Sequence, residues 1–207
     1  MKKCVIICAA PFADISFYKN RITDDDFLIS ADAGYVYAEN AGIKPDLIVG
    51  DFDSSSVPDT EIETIILPVH KDDTDTMYAV REGIKRGYTD FVFLASTGGR
   101  EDHTLANYST LLYLKHHGCK GMIINESTDI FIVENEQIVI KNKKDKTFSI
   151  FPFACKGCCV SLSGFYYPLS SYTLKADFPL GVSNVITSDN AQVSVSDGSA
   201  VICISEL

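Results

Sequence analysis

The sequence predicts an α/β domain on an open, mainly parallel sheet, followed by an antiparallel β-sandwich domain. Three observations carry this. Through about residue 126, short apolar runs alternate with segments of helical spacing, the order that builds parallel sheets. Beyond 126, helical spacing gives way to short runs with period-two alternation, separated by polar turn residues. Acids and glycines collect where the apolar runs of the first part end, as expected for a ligand site at the carboxyl edge of a parallel sheet. The expected domains are residues 1–126 and 127–207.

The first part reads in order as follows. Lys3–Ala9 (KCVIICA) is a buried strand, and Asp32–Asn40 is a short helix stopped by Gly42 and Pro45. Leu47–Gly50 and Ile65–Val69 are strands. Thr74–Arg86 has helical spacing through Met77, Val80 and Ile84, with Gly87 as C-terminal cap. Asp90–Ala95 is a strand, and Asp102–His117 is a helix with Leu105, Leu111, Leu112 and Leu114 as its apolar surface. Met122–Asn125 is one more strand. In the second part, Ile130–Val133, Gln137–Ile140, Thr147–Phe151, Gly157–Leu162, Tyr172–Lys175, Gln192–Ser196 and Val201–Ser205 read as short strands. Glu-Asn-Glu, Asn-Lys-Lys-Asp and Ser-Asp-Gly read as the turns between them. The lysine run Lys141–Lys146 is a solvated hairpin tip.

Composition narrows the function. The chain of 207 residues is 46% hydrophobic, enough for a real core, and no run approaches the roughly 18 apolar residues of a membrane span. A net charge of −10 argues against nucleic acid, which needs clustered Lys and Arg. Fourteen of the 19 aspartates precede residue 126, so the charge is concentrated in the α/β part. Seven cysteines without a clear export signal indicate free thiols and a cytoplasmic location. Cys155, Cys158 and Cys159 form CKGCC, but no second pair completes a zinc site, and they read as reduced cysteines.

The chemistry begins at GDFDS, Gly50–Ser54. Asp51 and Asp53 follow an apolar strand, and i and i+2 of an extended segment face the same way, about 7 Å apart. Alone, an Asp-rich turn explains this pair. KDDTDT (71–76) ends the next strand and opens a helix, and Asp32 in SADAG is a third acid between strand and helix. Several acids at one sheet edge repel unless a cation lies among them, and magnesium, which joins carboxylates to substrate phosphates, is the natural choice. The next strand end reads STGGREDHTLAN (96–107): Gly98 and Gly99 allow close backbone approach, Arg100 can grip phosphate bidentately, Asp102 can cap the helix and His103 can bind or catalyse. His70, His116 and His117 read as structural or surface groups. The residues together point to a magnesium-dependent enzyme acting on a nucleotide or phosphate, and the absence of GxxxxGK[ST] excludes a P-loop kinase.

Taken together, DAG (32–34), PDLIVGDFDS (45–54), KDDTDT (71–76), GGREDHTLAN (98–107), SGFYYPL (163–169) and GVSN (181–184) resemble the thiamine pyrophosphokinase (thiamine diphosphokinase) family. The resemblance covers most of the chain. It implies an ATP-binding α/β domain, a thiamine-binding β-sandwich domain and a homodimer, with thiamine where one subunit's β domain meets the other's α/β domain. The implied reaction moves the β,γ-pyrophosphoryl group of ATP to the hydroxyethyl oxygen of thiamine and releases AMP. By similarity, Asp51, Asp53 and Asp75 are the magnesium ligands, and Asp32, Lys71, Asp72, Arg100, Asp102 and His103 line the ATP and catalytic region. Asp72, Asp75 and Asp102 are the alternatives for the base that takes the thiamine proton. Ser183 and Asn184 would contact thiamine. The chain departs from some members of the family in having no tryptophan, and Phe178 or Tyr172 would have to supply any stacking aromatic.

Two rivals are a haloacid-dehalogenase-type phosphatase, whose nucleophile also lies in a DxD after a strand, and a non-catalytic magnesium–nucleotide-binding protein. The first normally places DxD on its first strand, whereas here about 45 residues and at least one strand precede it.

Overall fold

The computed structural model describes residues 2–11, 15–53, 57–70 and 72–206. The chain divides into two compact units, Met1–Glu126 and Ser127–Leu207.

The first unit contains β1 (Cys4–Ile7), α1 (Ile15–Lys19), β2 (Phe27–Ala31), α2 (Gly34–Asn40), β3 (Leu47–Gly50), β4 (Glu63–Ile66), α3 (Asp75–Lys85), β5 (Asp90–Leu94), α4 (Glu101–His116) and β6 (Lys120–Ile124). Its six strands are parallel and lie in the order β6-β5-β1-β2-β3-β4. The inner strands are apolar on both faces because helices cover both. On one face Val5, Ile7, Leu28, Val92 and Leu94 pack with Tyr18 of α1 and Ala38 of α2. On the other, Phe91 and Cys4 come so close to α3 that a Cβ at Gly83 would lie 2.6 Å from the Phe91 ring.

Sequence periodicity identified most of these elements, with instructive exceptions. Phe27–Ala31 and the short helix α1 were not among the expected elements. The strand expected at Ile65–Val69 is Glu63–Ile66; as the sheet's edge it leaves Ile66 61% exposed, so burial gave it no clear pattern. In α4 the apolar surface expected to include Leu105 does not include it, since Leu105 is 60% exposed. The buried stripe is Thr104, Asn107, Thr110, Leu111 and Leu114. Its polar members are satisfied within the fold: Thr110 Oγ1 donates to the Ala106 carbonyl at 2.9 Å and Asn107 Nδ2 to the Ser96 carbonyl at 2.7 Å.

The second unit contains β7 (Thr128–Lys141), β8 (Thr147–Pro152), β9 (Gly157–Ser163), β10 (Leu169–Lys175), β11 (Asn184–Val185) and β12 (Asn190–Ser205), paired antiparallel. β12 is the hub. It pairs with β7 along its length, while its first half also pairs with β9 and its second half with β8. The two faces meet over Phe148, Ile150, Val160, Leu162, Val193 and Ile202. Glu-Asn-Glu and Ser-Asp-Gly are not turns between strands, as expected, but a paired irregularity inside two long strands. Asn135 and Asp197 take φ of 46° and 58°, and Gly198 N–H donates to Asn135 Oδ1 at 3.2 Å. The extra residues let each long strand bend without ending. All seven cysteines are free thiols, with Cys158 buried and Cys155 and Cys159 half-buried.

Candidate active site

The strand order fixes where a ligand can bind in the first unit. From β1 the sheet grows through β2, β3 and β4 on one side and through β5 and β6 on the other. A crevice therefore opens between the carboxyl ends of β1 and β5, the topological switch point. A cleft of about 360 Å³ lies there, walled by Cys8–Pro11 after β1, Ala31–Ala33 after β2, Thr74–Thr76 at the start of α3 and Ala95–Arg100 before α4.

Asp32 enters this cleft from β2. Its φ of 50° is left-handed, a conformation aspartate tolerates better than most residues, and its N–H donates to the Val49 carbonyl at 2.8 Å. The turn is forced by Gly34: a Cβ there would lie 2.1 Å from the Ile7 carbonyl oxygen, so only glycine lets α2 start directly over the end of β1. Thr74 caps α3, its Oγ1 accepting from Met77 N–H at 3.1 Å, which presents Asp75 in the helix's first turn.

Carboxylate oxygens of Asp32, Asp51 and Asp75 all lie within 4.8 Å of one another. Burial, then the charges of Asp51 and Asp53, raise the Asp32 pKa above the ordinary carboxylate value, against the lowering effects of the Ala33 N–H and His103. Asp32 Oδ1 is buried and makes no hydrogen bond. This donor set fits magnesium. All its ligands are hard oxygens, and opposite ligands at about 2.1 Å from the ion are about 4.2 Å apart. An orphaned carboxylate oxygen is the kind of group a cation would satisfy.

Asp53 does not join this group. It is exposed, and its N–H donates to Asp51 Oδ1 at 3.3 Å. Asp72 is exposed, Asp73 pairs with Arg81, and Lys71 lies outside the described residues. Because this DxD follows the third strand and its first acid joins Asp32 and Asp75, the arrangement differs from that of the dehalogenase-type phosphatase.

Opposite the acids, Gly98 and Gly99 take φ of 87° and 76°, and α4 begins at Glu101 with no side-chain cap on its N-terminus from Arg100. Arg100 makes a bidentate pair with Asp102, Nε to Oδ1 at 3.1 Å and Nη2 to Oδ2 at 2.6 Å. Asp102 Oδ1 also accepts from His103 N–H at 3.0 Å. The Arg100 guanidinium is the main reason the Asp102 pKa falls to about 2. His103 lines the cleft, as does Asn107, to which the sequence reading gave no role.

In the second unit Ser183 is exposed, with φ of 57°, and its N–H donates to Ser149 Oγ at 3.0 Å. Asn184 is buried and its amide is engaged: Oδ1 accepts from the N–H groups of Tyr167 and Val185 at 3.0 and 2.8 Å, and Nδ2 donates to the Tyr167 carbonyl at 2.8 Å. It holds in place the edge-to-face pair Tyr166–Tyr167, both of which are about two-thirds exposed. Phe178 and Tyr172 are also exposed.

Comparison with known proteins places this geometry among relatives. Residues 18–123 match the family model of the thiamin pyrophosphokinase catalytic domain, and residues 135–202 match that of the thiamin pyrophosphokinase vitamin B1 binding domain. The chain is 28% identical over 209 residues to thiamine pyrophosphokinase of Bacillus subtilis (strain 168), covering 96% of each. Among solved structures, the Bacillus subtilis thiamine pyrophosphokinase is similar with a TM-score of 0.86 at 24% identity, covering both chains fully. That of Geobacillus thermodenitrificans gives 0.84 at 22% identity, over 99% of this chain and 98% of the other. The Candida albicans thiamin pyrophosphokinase gives 0.81 at 16% identity, over 100% of this chain and 89% of the other. These structural likenesses speak for the fold.

Proposed function

The chain belongs to the thiamin pyrophosphokinase family, and from that premise we propose how its own residues carry a thiamine diphosphokinase reaction. ATP donates its β,γ-pyrophosphoryl group to the hydroxyethyl oxygen of thiamine, giving thiamine diphosphate and AMP. The observation that carries the assignment of the site is the convergence of Asp32, Asp51 and Asp75 within 4.8 Å beside a phosphate-sized crevice.

ATP lies across the β1–β5 crevice with its phosphates over Gly98–Gly99 and the N-terminus of α4, where backbone N–H groups favour anions. Asp32, Asp51 and Asp75 hold magnesium, and Asp53 adds negative charge beside them. Magnesium bound there neutralises phosphate oxygens and ties them to the carboxylates. Arg100, oriented by Asp102, presents its remaining N–H groups to the transferring phosphates. Lys71 and His103 complete the ATP region. The hydroxyl proton of thiamine passes to a carboxylate as the new P–O bond forms. Asp102, whose pKa is held at about 2, is the weakest acceptor of the three alternatives, which leaves Asp72 and Asp75.

Thiamine is bound by the second unit near Ser183, with Asn184 holding the neighbouring tyrosines. The enzyme works as a homodimer in the cytoplasm. The exposed apolar side chains Tyr166, Tyr167, Tyr172, Phe178, Leu180 and Val182 support association, and seven free thiols support a reducing compartment.

The test is AMP formation from ATP and magnesium, with and without thiamine, in the wild type and in Asp51→Asn and Asp32→Asn. Thiamine-dependent AMP that is lost in both variants is expected. Phosphate release without thiamine would overturn the assignment, and so would full activity in both variants.

A further inference from the structure

We propose that the Ser96 hydroxyl is a phosphate-binding donor for the nucleotide, a contact beyond the acids, glycines and arginine already assigned. This rests on the reading of the crevice as the ATP site.

Ser96 follows β5 at the switch point and lines the cleft. It is only 3% exposed, and its Oγ makes no hydrogen bond. A buried hydroxyl without a partner is unfavourable and calls for a reason. Its backbone is not free to turn it elsewhere, because the Ser96 carbonyl is held by Asn107 Nδ2 at 2.7 Å, tying the end of β5 to α4. Alanine would fill the same space, as it does at the preceding residue, Ala95, so packing does not require the hydroxyl.

The surroundings select the ligand group. Within four residues of Ser96 lie the left-handed pair Gly98–Gly99, the guanidinium of Arg100 and the start of the 16-residue helix α4. No side chain of Arg100 caps that helix, and a Cβ at Gly98 would meet nothing within 4 Å, so the approach over the turn is open. All these features attract an anion. A serine hydroxyl supplies one donor, which a phosphate oxygen accepts.

Ser30 provides the internal control. Its Oγ is also buried without a hydrogen bond, but it sits within β2 and does not line the cleft.

The test compares the full-length wild type with Ser96→Ala and Ser30→Ala, measuring melting temperature and the binding of magnesium–ATP, inorganic tripolyphosphate and adenosine. Both variants should melt at or above the wild-type temperature without ligand, since each loses an unpaired polar group. Only Ser96→Ala should bind ATP and tripolyphosphate more weakly, by roughly three- to tenfold, the value of one neutral hydrogen bond. Its affinity for adenosine should not change. Wild-type binding of ATP and tripolyphosphate by Ser96→Ala would overturn the inference. Weaker binding of adenosine but not of tripolyphosphate would also overturn it, by placing the hydroxyl at the nucleoside. If the wild type binds magnesium–ATP but forms no AMP with thiamine, the proposed reaction fails while the binding comparison still decides the role of Ser96. A wild type that binds neither ATP nor tripolyphosphate would overturn both.

Discussion

Replacing Asp32 by asparagine should stabilise the metal-free protein and abolish its response to magnesium. The size of the effect follows from the geometry. Two unit charges at 4.8 Å, the outer limit of separation in the Asp32–Asp51–Asp75 group, repel by roughly 3 kcal/mol at an effective dielectric of about 20. Asp32 is half-buried, so solvent screening reduces this, and about 2 kcal/mol is a fair expectation for neutralising it. In a chain of this size that is a rise in melting temperature of about 4–8 °C. The assay is thermal unfolding at neutral pH with EDTA, followed by a magnesium titration. Wild type should gain stability with magnesium and Asp32→Asn should not.

The pH dependence has a definite sign. The folded-state pKa of Asp32 is raised, chiefly by burial and then by Asp51. Between the ordinary carboxylate pKa and this raised value, the folded state binds more protons than the unfolded one, so stability falls as pH rises through the window. The advantage of Asp32→Asn over wild type should therefore be full above the raised pKa and vanish below the ordinary one. A metal-free variant that melts at or below the wild-type temperature at neutral pH, and keeps the full magnesium response, would refute the reasoning.

Three further outcomes are expected. Arg100→Lys keeps the charge but loses the two-pronged pair with Asp102; the KM for ATP should rise about tenfold, and NMR titration should find the Asp102 pKa moved up from about 2 towards the ordinary value. An unchanged KM would show that the guanidinium fork is not used. Asn184→Ala leaves the N–H groups of Tyr167 and Val185 without their acceptor and should destabilise the protein by about 2–4 kcal/mol in urea unfolding. Asn184→Asp keeps both acceptor contacts and should recover most of that loss, whereas equal losses in the two variants would count against the clamp. Gly34→Ala drives a Cβ to 2.1 Å from the Ile7 carbonyl, so α2 must shift; a loss of about 3 kcal/mol or more in urea unfolding is expected, together with weaker magnesium binding through the displaced Asp32 turn. A variant with wild-type stability would show that the start of α2 is not fixed by this contact.

Much of the fold could be read from the sequence because its elements are bounded by strong punctuation. Thr74–Arg86 shows a capping threonine at one end and Gly87 at the other, and the structure places α3 at Asp75–Lys85. The misreadings have physical causes. Short strands at an edge, such as β4, do not bury one clean face. Turn-forming residues are ambiguous, since Glu-Asn-Glu and Ser-Asp-Gly supply left-handed backbone equally well to a hairpin or to paired irregularities within long strands. Only the partner strand decides between these, and pairing between β7 and β12 joins residues some 60 positions apart, such as Val133 and Ala200.

The same reasoning explains which half of the site was visible beforehand. β2, β3 and β4 are laid down side by side in chain order, so the acids after β2 and β3 become neighbours simply because their strands do. Asp75 joins them because the chain leaves β4 directly into α3. Consecutive order along the sheet turns sequence spacing into spatial proximity, and reading carboxylates at successive strand ends is then enough to find the group. The facing wall is different. β5 starts again on the other side of β1, so Ser96 and Asn107 meet the Cys8–Pro11 segment across nearly 90 residues of chain. Their polar atoms belong to residue types that strand ends and helices use everywhere for local hydrogen bonding. What marks Ser96 is the absence of such a bond at a buried position, a property of the folded state. Charged groups at strand ends can thus be recognised by their mutual repulsion in the sequence, whereas a neutral donor becomes recognisable only when the fold leaves it without a partner.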